Sequence, residues 1–265
     1  YDSFNREDLY WKISVNGARN WNRFEKSYDG KDFGGNIIGK PLNGIYALKT
    51  DGFINEQDEM KVFYNQQGVS NYLSNFYKGA FYKPGDYKFV DVNGDGTIGS
   101  GDAVYCGSAL PIVSGGIVNE FQWKNFDVNI LLSFQLGRHM LNITQTRCLS
   151  GFGAAEYPAI VMNLNKVSFW EKPGDNPDFP RWQYDWDTYL WSGRYVDRRV
   201  EKVNWLKIKT VSIGYTLPKA WMQKCGLDEL RIFASGENLH TFTNYSGIEP
   251  EIVDIRNGED VGSSS

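Results

Sequence analysis

Apolar and polar residues alternate most regularly in two neighbouring stretches of the chain. From Phe126 to Leu136 every even-numbered position is hydrophobic, and residues 117–123 show the same alternation just upstream. A period of two is typical of a β-strand with one apolar and one polar face. Only Lys124 and Asn125 separate the two stretches, so the pattern predicts a tight hairpin of two strands.

Three further stretches have the character of strands. Residues 9–15 alternate in the same way, and residues 206–217 alternate with a change of phase near Lys209 and Thr210 that predicts a bulge. Residues 218–226 are predicted as a short helix, with a proline in its first turn and a glycine at its end. A last alternating run begins at Leu230. The chain is therefore predicted to be all-β, with five long strands.

The connections between these strands alternate in length. Residues 18–114 and 138–202 form two long segments, whereas the turn at 124–125 and the short helix are brief. Short turns on one side, long loops on the other and strands near ten residues are typical of outer-membrane barrels. We therefore predict a partial transmembrane antiparallel β-barrel with 18–114 and 138–202 as long extracellular loops. Five strands cannot close such a barrel, so residues 1–265 are expected to be a section of a larger protein.

A soluble β-sandwich is the alternative fold for the same pattern. In a sandwich, the apolar side chains between Phe126 and Leu136 would be buried against a second sheet. In a barrel, lipid would surround them, and the protein without its membrane would leave them exposed. The burial of these side chains therefore distinguishes the two folds.

Composition excludes several classes of function. The 28 basic and 32 acidic side chains are dispersed and give a net charge of -4, so no basic surface for nucleic acid is predicted. No stretch approaches the roughly 18 apolar residues of a membrane helix. Three separated cysteines and two histidines predict neither a disulfide framework nor a zinc site. Asp185 and Asp187 lie only two residues apart in a loop, so no catalytic residue is predicted and the chain is not expected to be an enzyme.

An acidic loop near residue 91 is a candidate calcium site. Asp91, Asn93, Asp95, Thr97 and Asp102 occupy positions 1, 3, 5, 7 and 12 of a loop with glycine at position 6. Calcium takes six to eight oxygen ligands from a sharply turning chain, which this spacing supplies. Asp102 replaces the usual glutamate, so coordination would be lower or completed by water. The alternative is a solvated turn rich in Asp and Asn.

Aromatic side chains are concentrated between residues 169 and 195, interleaved with aspartates and arginines. Flat rings stack on sugars and anchor protein interfaces, and the charged neighbours can bind hydroxyl groups. The alternative is a loop that packs on itself or at the membrane interface. The residues predicted to contact a ligand or a partner protein are Trp170, Trp182, Tyr184, Trp186, Tyr189 and Trp191.

Several segments together resemble one protein family. They are W-L-K-I-K-T-V-S-I-G-Y-T-L-P from Trp205, L-R-I-F-A-S-G-E-N-L-H-T-F-T-N-Y-S-G-I-E-P-E from Leu230, G-D-Y-K-F-V-D-V-N-G-D-G-T-I from Gly85 and I-Y-A-L-K-T-D-G-F-I from Ile45. In this combination and order they resemble the SusC/RagA-type TonB-linked outer-membrane transporters over nearly the whole chain.

The resemblance implies a 22-stranded barrel with an N-terminal plug, of which this chain would be the C-terminal section without the final strand. It also implies a SusD-like surface lipoprotein as partner and TonB-driven import of oligosaccharides or peptides across the outer membrane of a Gram-negative bacterium. The plug and the TonB box are not in this sequence, so no residue here is assigned to energy coupling. The leading hypothesis is nutrient transport, and the second is a soluble carbohydrate-binding β-sandwich module with a structural calcium.

Overall fold

The computed structural model describes residues 4–6, 8–32, 36–56, 84–96, 98, 100–145, 167–181, 196–256 and 258–260. Its strands are β1 Phe4–Arg6, β2 Leu9–Arg19, β3 Gly44–Leu48, β4 Thr50–Phe53, β5 Tyr87–Phe89, β6 Ala103–Ser108, β7 Val113–Trp123, β8 Phe126–Leu141, β9 Val200–Thr216 and β10 Arg231–Thr243. A four-residue helix, α1, spans Lys219–Met222. The chain divides into two compact units, the first made of residues 1–21, 110–138 and 203–245, and the second of the remainder.

The first unit contains one six-stranded sheet in the order β1-β2-β7-β8-β9-β10. The predicted hairpin is confirmed: β7 pairs antiparallel with β8, and Trp123 lies opposite Phe126. The turn between them is bonded to its neighbours, because the Lys124 amide donates to the carbonyl of Asp8 (2.8 Å) and Asn125 accepts from the amide of Thr216 (2.9 Å). Lys124 has a positive φ of 53°, as a two-residue hairpin turn requires at one or both central positions.

The register of the sheet places the apolar side chains of three strands on one face. This face carries Leu9, Trp11, Ile13 and Val15 of β2, Ile117, Phe121 and Trp123 of β7, and the even-numbered side chains of β8 from Phe126 to Leu136. Phe126 and Leu136 are 46% and 43% exposed, and the four apolar side chains between them are partly exposed. The apolar face of these strands is therefore not a protein core.

The opposite face of the same strands is polar and carries paired charges. The Lys12 ammonium lies 3.3 Å from a carboxylate oxygen of Glu120 on the adjacent strand. Because the first unit's described strands form one sheet, and a sandwich needs two, the β-sandwich alternative is not supported there. Among the described residues, none of the helices has the length and apolar character needed to cross a membrane.

The predicted bulge lies at the expected level but on the other strand. Thr210 pairs with Glu237 and Ile208 with His240, so β10 has one residue more than β9 at this point. Asn238 adopts a positive φ of 52° there. Asparagine tolerates this conformation better than most residues, which explains why β10 rather than β9 accommodates the irregularity.

The short helix is also confirmed. Pro218 precedes α1, a 3-10 turn continues it over Gln223–Cys225, and Gly226 ends it with a φ of 69°. The left-handed glycine at this end has no Cβ to strain the backbone.

The described part of the second unit contains two small antiparallel ribbons, β3 with β6 and β4 with β5. They lie within residues 18–114, which sequence patterning predicted only as a long loop, because strands of three to six residues carry too few alternations to recognise. Buried side chains form two clusters among the described residues of this unit. One consists of Ile45, Ala109, Leu141 and Ile143, and the other of Phe53, Tyr87 and Val196.

Candidate functional site

The acidic loop folds around the carboxylate of Asp91. Its two oxygens accept hydrogen bonds from the amides of Gly94 (2.7 Å) and Gly96 (2.8 Å). Both glycines are left-handed, with φ of 74° and 77°, so the chain turns sharply at the positions where the predicted calcium loop requires it.

Asp102 closes the same loop from its far end. It is only 1% exposed, and its Oδ1 accepts hydrogen bonds from the amides of Val92 (2.8 Å) and Asn93 (3.4 Å). Asn93 in turn accepts from the amide of Asp95 (2.9 Å) and donates to its carboxylate (2.9 Å). The first and last predicted ligands therefore bind the same short stretch of backbone.

Only some of the features that a calcium site needs are present in the described part of the loop. Oxygen donors and the turn are present, but no group of three acidic, histidine or cysteine side chains is close enough to hold a metal among the described residues. Thr97 lies outside them. Asp91 and Asp102 stabilise the loop through backbone amides, and calcium binding stays a prediction.

Of the predicted aromatic contacts, Trp170 is within the described residues, whereas Trp182, Tyr184, Trp186, Tyr189 and Trp191 are outside them. The Trp170 ring packs on the cluster of Phe53, Tyr87 and Val196. Its indole N–H is buried and has no hydrogen-bond partner among the described residues. This packing gives Trp170 a structural role, and its contact with a ligand stays a prediction.

Trp170 belongs to a compact segment that we call the 167–181 loop. The two limbs of this loop are bonded to each other: the Trp170 amide donates to the Phe179 carbonyl, and the Phe179 amide to the Ser168 carbonyl, both at 3.1 Å. The Ser168 hydroxyl also donates to the Asp178 carboxylate at 2.8 Å. The rings of Phe169 and Phe179 lie 5.7 Å apart between the limbs.

A surface cavity of about 670 Å³ opens on this loop. The side chains around it combine carboxylate, amide, hydroxyl and aromatic groups. They are Val167, Ser168, Phe169, Glu171, Asp175, Asn176 and Pro177. All of these residues belong to the 167–181 loop, so the conformation of the loop shapes the described walls of this cavity.

An ion pair fixes one limb of the loop. Arg181 Nε lies 2.7 Å from the Asp86 carboxylate, whose side chain is 6% exposed. The Arg181 amide donates to the carbonyl of Gly85 at 2.9 Å. A Cβ on Gly85 would lie 2.5 Å from the Trp170 ring and 2.8 Å from Arg181, so glycine is needed for this close approach.

Arg199 fixes the loop from the other side. Its guanidinium carbon lies 3.8 Å from the centre of the Phe179 ring, and the group donates to the Asp178 carbonyl and to the Tyr87 hydroxyl. Burial raises the pKa of Tyr87, so this hydroxyl stays protonated. No local pattern in the sequence marks Arg199, Asp86 or Tyr87 as site residues, because their partners lie about 20 to 110 residues away along the chain.

Comparison with known proteins identifies the family. No family model matches the chain. TonB-dependent receptor P3 of Formosa agariphila is 30% identical over 251 residues, which are 92% of this chain and 23% of that protein. TonB-dependent receptor SusC of Bacteroides thetaiotaomicron is 21% identical over 262 residues, 93% of this chain and 22% of that protein. The chain belongs to the SusC/RagA-type TonB-dependent receptors.

Solved structures show the fold of this SusC/RagA-type chain. The RagAB peptide importer in its open-open state matches 94% of the chain with a TM-score of 0.57 and 17% identity. The RagAB peptide transporter matches 97% with a TM-score of 0.63 and 16% identity. The six-stranded sheet is thus an open section of a TonB-dependent transporter β-barrel, as predicted. The chain spans about a quarter of the length of the relatives it matches.

Proposed function

We propose that the receptor containing this chain imports nutrients across the outer membrane of a Gram-negative bacterium with energy supplied through TonB. The observation that carries the proposal is the apolar face of the six-stranded sheet, on which none of the even-numbered side chains of β8 from Phe126 to Leu136 is buried. Such a face suits lipid as its surroundings. The similarity to TonB-dependent receptors supports transport rather than an enzymatic reaction.

A SusD-like surface lipoprotein is the proposed partner of the receptor, and oligosaccharides or peptides are the proposed cargo. RagAB is named as a peptide importer, and SusC as a TonB-dependent receptor, which supports this class of system. Residues 18–114 and 138–202 would then form extracellular loops. The aromatic residues between Trp170 and Trp191 would contact the ligand or the lipoprotein.

Nutrient uptake in the native host tests this function. We expect deletion of the full-length receptor gene to abolish growth on either a tryptic digest of casein or a mixture of starch-derived oligosaccharides. Re-expression of the receptor should restore growth, and deletion of TonB should reproduce the loss. Unchanged uptake of both mixtures in the receptor and TonB deletions would contradict the proposal.

Affinity purification tests the lipoprotein partner separately. A tagged full-length receptor, solubilised from its native host in mild detergent, is expected to retain a SusD-like lipoprotein in stoichiometric amount. Recovery of the receptor without any lipoprotein would contradict the proposed partner. It would not contradict the proposed transport function.

Calcium in the acidic loop is a further proposal, supported by the turn at Gly94 and Gly96 and by the placement of Asp91 and Asp102 at its two ends. We expect calorimetry of the full-length receptor to detect calcium binding that Asp91→Asn removes. Asp175→Asn is the matched control, because Asp175 also accepts two backbone amides but lies in the 167–181 loop. Equal binding by both variants would assign the ion elsewhere.

A further inference from the structure

Arg199 is a buried cation in the second unit. The residue is 6% exposed and lies at the end of the 3-10 turn that precedes β9. Its guanidinium donates to the Gln145 side chain (3.2 Å), to the Tyr87 hydroxyl (3.2 Å) and to the carbonyl of Asp178. Arg199 therefore joins three segments that are distant along the chain.

A buried guanidinium usually pairs with a carboxylate, whereas the acceptors of Arg199 are neutral. Every hydrogen bond that the side chain makes with the described residues goes to a neutral oxygen, and its Nε is buried with no partner there. Burying a cation without a carboxylate costs free energy, which the face of the Phe179 ring offsets only in part. An apolar side chain of similar size would avoid this cost, so stability alone does not explain an arginine here.

The geometry around Arg199 serves the 167–181 loop. The planar group stacks on Phe179 while one of its nitrogens holds the Asp178 carbonyl, so it fixes both the ring and the backbone of one limb. Neighbouring Arg198 donates to the Pro177 carbonyl at 3.2 Å, and Arg181 binds Asp86 at the end of the same limb. The limb is thus held at three successive points.

We propose that Arg199 is a positioning residue, which presets the 167–181 loop so that the walls of its cavity are in place before cargo arrives. This inference rests on the proposed import function. A loop that is already ordered does not lose conformational freedom on binding, so Arg199 raises the affinity for cargo without touching it.

Hydrogen exchange of the full-length receptor in detergent tests the positioning directly. In Arg199→Met we expect the amides of Trp170, Phe179 and Arg181 to exchange at least tenfold faster, with the amides of the β3–β6 ribbon unchanged. Arg199→Lys, which keeps the charge but loses the planar fork, should fall between. Arg256→Met is the matched control, because it removes an exposed cation that pairs with Asp254 in the same unit.

Two results would overturn the positioning role. Unchanged exchange of the loop amides in Arg199→Met would show that the loop is held without it. Faster exchange throughout the second unit would show that Arg199 supports the unit as a whole.

Uptake kinetics connect the loop to import. With the casein digest or the starch oligosaccharides as probe, Arg199→Met should raise the concentration for half-maximal uptake about fivefold or more at unchanged maximal rate, and Arg199→Lys should partly restore it. An unchanged half-maximal concentration would overturn the link to cargo. Absence of uptake by the wild type would reject the proposed function, while the exchange experiment would still decide whether Arg199 positions the loop.

Discussion

Buried charged residues hold the second unit together where its strands are short. The carboxylate of Asp86 forms an ion pair with Arg181, and Asp86 is only 4% exposed. Removing one partner of a buried pair leaves the other charge without compensation, which typically costs about 3 to 5 kcal/mol. The side chain of Arg181 retains 20% exposure, so we expect the cost here to lie at the lower end.

Gly85→Ala is expected to loosen this site. Gly85 is left-handed, with a φ of 92°, and a Cβ there would lie 2.5 Å from Trp170. Strain and overpacking together should destabilise the protein by about 2 to 5 kcal/mol. Gly174→Ala isolates the backbone contribution, because Gly174 has a φ of 89° and open space around its Cα; it should cost about 1 to 2 kcal/mol. Urea-unfolding midpoints of the full-length receptor in vesicles give both values, and equal losses would show that the close contact is unimportant.

Cys106 is expected to be a slow nucleophile. Burial, with a smaller contribution from the Asp197 carboxylate, raises the pKa of its thiol. Because only the thiolate reacts, iodoacetamide at pH 7.5 should label Cys106 at least tenfold more slowly in the folded receptor than in urea. The labelling rate of the folded receptor should also keep rising at pH values at which the rate of the unfolded thiol has levelled off. Peptide-resolved mass spectrometry measures this rate. Equal labelling in both states would contradict the burial of the thiol.

Long strands were the elements that sequence patterning could predict. The hairpin of β7 and β8 repeats its alternation often enough to identify both faces, and the helix after Pro218 has a proline and a glycine at its ends. Strands β3 to β6 have too few residues for a pattern. The position of the 167–181 loop depends on contacts such as Arg199 with Phe179, which no local sequence signal announces.

The two faces of β8 are expected to respond differently to charge. Ile130→Lys places an ammonium on the apolar face, where lipid would surround it, and should destabilise the barrel by about 2 to 4 kcal/mol. Asn129→Lys places the same group one residue away on the polar face and should cost less than about 1 kcal/mol. Heat-modifiable mobility of the full-length receptor in outer-membrane extracts reports the folded fraction. Equal folding of the two variants would argue against lipid at the apolar face.

Across the whole molecule, the apolar face of the sheet indicates a membrane barrel, whereas the average composition does not. The mean hydropathy of -0.47 is that of a polar protein, because only alternate positions of the strands are apolar and most residues lie outside them. A barrel can therefore be present without any long hydrophobic stretch. Local periodicity, together with the resemblance, predicted the fold. The cargo and the partner protein could not be predicted from periodicity, because it reports only which side chains share a face of a strand.

Cell fractionation is expected to place the full-length receptor in the outer membrane. Carbonate extraction at pH 11 should leave it in the pellet, because the apolar face of the sheet remains in lipid. A soluble periplasmic protein is the control for release. Recovery of the receptor in the supernatant would contradict the membrane-spanning arrangement.

The Lys124–Asn125 turn has a consequence for assembly. Its amide and carbonyl are used by Asp8 on one side and Thr216 on the other, two residues that are about 210 positions apart in sequence. A one-residue slip of β2 or β9 against the hairpin would exchange the apolar and polar faces of that strand. It would also leave the Lys124 amide or the Asn125 carbonyl without its hydrogen-bond partner. The turn thus defines the register of both strands that flank the hairpin, β2 through Asp8 and β9 through Thr216.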